Sequence, residues 1–149
     1  MYRVVYLFFL IGLVACSNTG NKELESAAEN ASRFKMTLGA GGGFTGLYKG
    51  YNLYEDGRVE AWQQRSGRGD SLLWQSVIGA AAVEGIREGL LESGALSKRY
   101  DTAGNMTAVV TFDTADTTYR WSWDKTRQGP IELDAWYEET RAFCAQSAP

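Results

Sequence analysis

Between positions 106 and 123 the chain alternates with period two, and this constrains its fold more than any other feature. Met106, Ala108, Val110 and Phe112 alternate with Thr107, Val109 and Thr111; after a turn at 113–117, Tyr119, Trp121 and Trp123 alternate with Arg120 and Ser122. Successive side chains on a strand point to opposite faces, so the pattern is a β-hairpin with one apolar face that must be covered. Helical periodicity on both sides offers the cover. In 80–92, Val83, Ile86 and Leu90 recur at helical spacing with Leu91 beside them, Glu84, Arg87 and Glu88 make a wet face, and Gly94 is placed to end the helix. After Pro130, the residues Leu133, Trp136, Tyr137, Thr140, Phe143 and Cys144 share one face of a terminal helix.

The first half repeats this arrangement. Residues 34–38 read as a short strand, 39–46 as a glycine-rich connection, and 47–54 as an aromatic-rich strand; a further strand at 71–78, with Leu72 and Trp74 on one side, follows the polar loop 66–70. The turn Glu55, Asp56, Gly57 sets a register. A two-residue turn would pair Leu53 with Glu60 and mix the faces, whereas a three-residue type I turn with Gly57 left-handed pairs Leu53 with Val59 and Tyr51 with Ala61. The second choice buries Leu47, Tyr51, Leu53, Val59 and Ala61 and turns Asn52, Arg58 and Glu60 to water. The expected architecture is α+β: one antiparallel sheet of about five strands with two amphipathic helices on one face, in the order strands, helix, strands, helix.

The N-terminus carries an address. Arg3 precedes an apolar run at 4–14 that is too short to span a bilayer, and Leu13, Val14, Ala15 and Cys16 close it. This junction resembles the lipobox of bacterial lipoproteins. The resemblance implies removal of 1–15, acylation of Cys16, a tether over 16–33 and a single domain at 34–149. In such lipoproteins the residue after the cysteine guides sorting, and Ser17 in place of Asp implies the outer membrane. Lys22, Glu23 and Glu25 resemble the acidic surface-export tags of some Bacteroidota lipoproteins, so either leaflet stays open.

Composition narrows the chemistry. The chain has no histidine, which excludes histidine triads and proton shuttles and most zinc or copper sites. Its net charge of −3 leaves no basic excess to hold a phosphate backbone, so no nucleic-acid partner is expected. With Cys16 acylated, Cys144 has no partner for a disulfide and reads as a small buried side chain. No cofactor and no metal are expected.

Four features are candidates for function. Gly41, Gly43 and Gly46 match the spacing G-x-G-x-x-G, but a strand follows them where a dinucleotide site needs a helix. Bare glycines beside aromatics still suit a contact with a ligand or partner, so Gly41, Gly42, Gly43, Phe44, Gly46, Tyr48 and Trp62 form the candidate binding set. Trp62, Trp74, Tyr48 and Tyr54 fall partly on the solvent side, where they could stack against sugars or a protein. Asp56, Glu60, Asp124 and Glu132 are the carboxylates left to a histidine-free glycan hydrolase, with nothing in the sequence to pair them. Finally, Arg68, Gly69 and Asp70 spell an adhesion tripeptide, and Asp-Ser or Asp-Thr pairs at 70, 101, 113 and 116 resemble an O-glycosylation acceptor, though they are also ordinary turn residues. The expected function is a noncatalytic binding or interaction module, anchored at the outer membrane and contacting an envelope protein or glycan. The alternatives are an inhibitor of a periplasmic hydrolase such as lysozyme and a carboxylate-dependent glycan hydrolase.

Overall fold

The two alternating hairpins become parts of one sheet. A computed structural model describes residues 34–65, 67–127 and 129–149. The expected leader, Cys16 and the tether all fall in 1–33, outside the described residues. Six strands form the sheet where about five were expected: β1 (Lys35–Gly42), β2 (Leu47–Tyr54), β3 (Arg58–Arg65), β4 (Ser71–Val77), β5 (Met106–Asp113) and β6 (Thr118–Asp124). Helix α1 (Ala80–Glu92) and a 3-10 turn (Ala95–Ser97) lie between β4 and β5, and helix α2 (Ile131–Gln146) follows β6. All neighbours are antiparallel, in the lateral order β4-β3-β2-β1-β5-β6. The second hairpin therefore joins the sheet beside β1, not beside β4.

Strand β1 departs most from the sequence reading. It was expected to stop at Leu38, with the glycines as a loop. Instead it runs to Gly42 at the centre of the sheet and is paired along its whole length with β2 and β5. Hydrogen bonding on both sides overrides the low strand propensity of Gly39, Gly41 and Gly42, and Met36, Leu38 and Ala40 keep the period-two pattern through them. The β2–β3 hairpin has the register expected from its turn, with Leu53 opposite Val59 and Tyr51 opposite Ala61. Gly57 adopts φ +86°, which a side chain would resist, and its N–H donates to the Tyr54 carbonyl at 2.9 Å.

A bulge corrects the expectation for β4. The register shifts between Ala61 and Trp62, so Trp74 lies opposite Ala61 and Leu72 opposite Trp62, with Leu73 as the extra residue. One inserted residue reverses the alternation. Leu72 faces away from the helices, while Trp74 packs on the core, its ring 5.8 Å from that of Tyr51. Trp74 therefore belongs to no solvent platform.

The core lies between the sheet and both helices. Met36, Leu38, Leu53, Val59, Val110, Phe112, Trp121 and Trp123 meet Val83 and Leu90 of α1 and Leu133, Trp136, Tyr137 and Cys144 of α2. Phe143, expected on this face, is exposed, because at about 100° per residue it falls to the side of the stripe that buries Thr140 and Cys144. Buried aromatics here place their polar ends with care. The indole N–H of Trp121 donates to the carbonyls of Ala95 and Lys98 at 3.1 and 3.2 Å, that of Trp123 to Asp134 at 2.8 Å, and that of Trp136 to the Ile86 carbonyl at 2.9 Å. The Tyr137 hydroxyl donates to the Gly39 carbonyl at 2.7 Å and pins α2 to the central strand. The thiol of Cys144 is fully buried, and burial pushes it up to about 11. No helix among the described residues is long and apolar enough to cross a membrane.

Candidate functional site

Since both helices lie on one face, alternation sends every second strand residue to a face with no helix over it. Cross-strand pairing arranges those residues in rows, with neighbours about 4.8 Å apart. The first row runs Glu60, Asn52, Thr37, Thr111, Arg120; the second runs Leu72, Trp62, Gly50, Gly39, Val109, Ser122; the third runs Gln64, Tyr48, Gly41, Thr107, Asp124. The middle of this face is bare. Gly50 and Gly39 leave no side chains above the two central strands, and a groove of about 560 Å³ opens there.

The groove has an aromatic wall and a polar floor. Trp62 leans from β3 over the glycines: a Cβ on Gly39 would come within 3.0 Å of its Cη2, and a Cβ on Gly50 within 2.7 Å of its Cζ2. Tyr48 closes over Gly41 in the same way, since a Cβ there would stand 2.6 Å from the Tyr48 Cγ. Glycines under aromatic rings are a recurrent way to seat a large side chain flat on a sheet. Unlike the three core indoles, Trp62 has a buried N–H with no hydrogen-bond partner. Across the groove, the chain at 100–102 runs beside β6 and covers that edge of the sheet. The Thr102 N–H donates to the Ser122 carbonyl at 3.0 Å, the Ser122 N–H donates to the Tyr100 carbonyl at 2.9 Å, and the Ser122 hydroxyl donates to Asp101 at 3.1 Å. Thr37, Thr107, Val109 and Thr111 line the floor between the walls.

One end of the groove is braced by a hydrogen-bonded chain. Thr37 Oγ1 donates to Asn52 Oδ1 at 3.0 Å, Asn52 Nδ2 donates to Glu60 Oε2 at 3.3 Å, and the Tyr54 hydroxyl donates to the same oxygen at 2.8 Å. Arg58 bonds the other Glu60 oxygen and lays its guanidinium 3.6 Å above the Tyr54 ring. Burial pushes the Glu60 carboxyl up. The hydrogen bonds from Tyr54 and Asn52 and the charges of Arg58 and Lys35 outweigh it, so the group sits below the usual carboxylate range. Such a carboxylate holds the sheet face together and is a poor proton donor near neutral pH.

The other carboxylates are scattered. Asp124 accepts from the Thr126 N–H and hydroxyl, and these bonds hold it below its ordinary range. It is four strands from Glu60, roughly 19 Å at the usual strand spacing, well outside the separation at which two carboxyls share a glycosidic bond. Asp56 accepts from the Arg58 N–H in the β2–β3 turn, and Glu132 is exposed in the first turn of α2. Among the described residues no cluster is arranged to hold a metal ion.

The sequence-derived binding set divides. Tyr48, Trp62 and Gly41 meet at the groove, whereas Gly43, Phe44 and Gly46 form the turn just beyond its third row, with Gly42 at φ +118° ending β1. The amides of this turn are engaged internally: the Gly43 N–H donates to the Asn105 carbonyl and the Gly46 N–H to the Gly43 carbonyl. Phe44 is fully exposed. Of the Asp-Thr motifs, those at 113–118 are knit into their turn, with Thr114 and Thr117 bonded to each other and Thr118 to Asp113. Arg68, Asp70, Asp101 and Thr102 are exposed.

Lys35, Thr37, Asn52, Thr107, Val109, Thr111, Arg120 and Ser122, which line the groove, were not singled out by sequence reasoning. A signal was present in Thr37, Gly39 and Gly41, which alternate with Met36, Leu38 and Ala40 and so mark a strand with one bare face. The chain matches no protein-family model and no curated protein.

Proposed function

We propose that this protein is a noncatalytic binding module of the bacterial cell envelope, held at the outer membrane through Cys16, with the helix-free face of the sheet as its seat for a glycan. The single observation behind this reading is the pair Gly39 and Gly50 beneath Trp62. Glycine inside a strand destabilises by roughly 0.5–1 kcal/mol relative to alanine, and here two of them face each other on central strands. Their effect is a groove with an aromatic wall and a floor of hydroxyls, next to the amides of Asn52 and Gln64. A sugar ring offers the complement, an apolar face for stacking and hydroxyls at its edge. The carboxylates give no paired arrangement, which favours binding over hydrolysis. The lipobox resemblance supplies the location.

The test is co-sedimentation of the purified full chain with insoluble envelope polysaccharide. The chain should pellet with the polymer, and Trp62→Ala should stay in the supernatant while keeping its far-UV circular dichroism. Retention of full binding by folded Trp62→Ala would move the site elsewhere. A second reading, insertion into a hydrolase cleft as an inhibitor, is favoured by the fully exposed Phe44 at its turn. It expects Phe44→Ala, and not Trp62→Ala, to abolish inhibition of lysozyme.

A further inference from the structure

We infer that the groove is polarised along the strands and takes an acidic saccharide, whose anionic group lies between Lys35 and Arg120; this rests on the glycan reading above. Both side chains line the groove. Lys35 stands on β1 one position beyond the first row, and Arg120 ends that row on β6, two strands away. Strand geometry puts their backbones about 12 Å apart, a gap that two long cationic side chains close around one anion. Thr37 and Thr111 lie in the row between them and present hydroxyls to the same space.

The rest of the charge fits this direction. The negative lining groups are elsewhere: Asp101 is bonded to Ser122 in the second row, and Asp70 precedes Ser71, which pairs with Gln63 beside the third row. Glu60, the acid nearest Lys35, is matched by Arg58 and two neutral donors, so it does not cancel the cations. Arg120 is exposed and has no ion pair among the described residues. One end of the groove is therefore cationic and the other weakly anionic. A ligand stacked on Trp62 in the second row would direct a carboxylate to the first. Arginine with an adjacent lysine suits a carboxylate, because the guanidinium fork matches its two oxygens.

The experiment uses the full chain in detergent and two matched pairs of probes, titrated calorimetrically at low and high salt. One pair is chitobiose and the GlcNAc–MurNAc disaccharide, which differ by a lactyl carboxylate. The other is trigalacturonate and its methyl ester. We expect at least one acid to bind about tenfold more tightly than its neutral counterpart at low salt, as two partly screened charge contacts would give. The ratio should fall towards one in Arg120→Gln/Lys35→Gln and should shrink at high salt. A preference confined to the first pair identifies a peptidoglycan carboxylate, and one confined to the second identifies a uronate; either supports the seat. Equal affinities within both pairs would overturn the cationic end while leaving a neutral glycan site. An acid preference that persists in the folded double variant would also overturn it. Binding of no saccharide would remove the glycan reading itself.

Discussion

Gly39 and Gly50 face each other across β1 and β2, yet one added methyl group should affect them very differently. A Cβ on Gly50 would stand 2.0 Å from the Leu38 carbonyl oxygen, 2.8 Å from the Gly39 Cα and 2.7 Å from Trp62 Cζ2. Two of those neighbours are backbone of the central strand, so β1 and β2 must separate locally. Losing two ladder hydrogen bonds at roughly 1 kcal/mol each, together with the strain of overpacking, places Gly50→Ala about 3 kcal/mol below the parent. On Gly39, by contrast, the Cβ would meet only the Trp62 ring at 3.0 and 3.1 Å and the Lys49 carbonyl at 3.8 Å. The ring is partly exposed and can give by a few tenths of an ångström. Replacing a strand glycine also recovers about 0.5–1 kcal/mol through the unfolded chain, so Gly39→Ala should stay within about 1 kcal/mol of the parent. Urea unfolding followed by circular dichroism separates the two. With a slope of about 2 kcal/mol per molar, the Gly50 midpoint drops by about 1.5 M and the Gly39 midpoint by less than about 0.5 M. In a Trp62→Ala background, Gly39→Ala should become neutral or stabilising, because the ring it displaces is gone. Equal losses at the two glycines, or a Gly39→Ala loss that survives removal of the indole, would refute the placement of Trp62 over the central strands.

The remaining tests are simpler. The Cys144 thiol is held protonated to about 11, against about 8.5 for an unfolded chain, so stability present below about pH 9 should be lost between pH 9 and 11, by about 2–3 kcal/mol in all, and Cys144→Ala should flatten that decline in a pH series of urea melts. Tyr137→Phe removes the donor to the Gly39 carbonyl and should destabilise by about 1–2 kcal/mol in the same assay; no change would mean that the bond does not tie α2 to the sheet. Glu60→Gln should lose about 1 kcal/mol at neutral pH. It should also weaken the acid limb, because the depressed parent carboxyl gives stability above its unfolded range that disappears as pH falls through its folded value. Cys16→Ser should leave a precursor that takes up no labelled palmitate, and a labelled variant would refute the lipobox assignment.

Local patterns in this chain were enough for the elements whose two faces differ. The span 80–92 was legible as a helix, and the β2–β3 register followed from one turn, because slipping Leu53 past Val59 would have exposed an apolar set. The row Tyr119, Trp121, Trp123 announced a buried face, since alternating large aromatics have nowhere else to go. At the site, the sequence picked out Tyr48 and Trp62 as aromatics on the wet side. What it could not decide was where the glycines stood. Gly39 and Gly41 have no side chain to bury, so they carry no period of their own, and their place in a central strand depends on hydrogen bonds to β2 and to β5, which lies more than sixty residues further along the chain. The bulge that turns Trp74 inward and Leu72 outward is likewise a property of pairing. The groove itself arises only when β5 and β6 are laid beside β1, since Lys35 and Arg120 share a surface through that contact alone. Burial of apolar side chains is a local demand that a single segment expresses, whereas a bare patch of sheet is made by what distant segments leave uncovered.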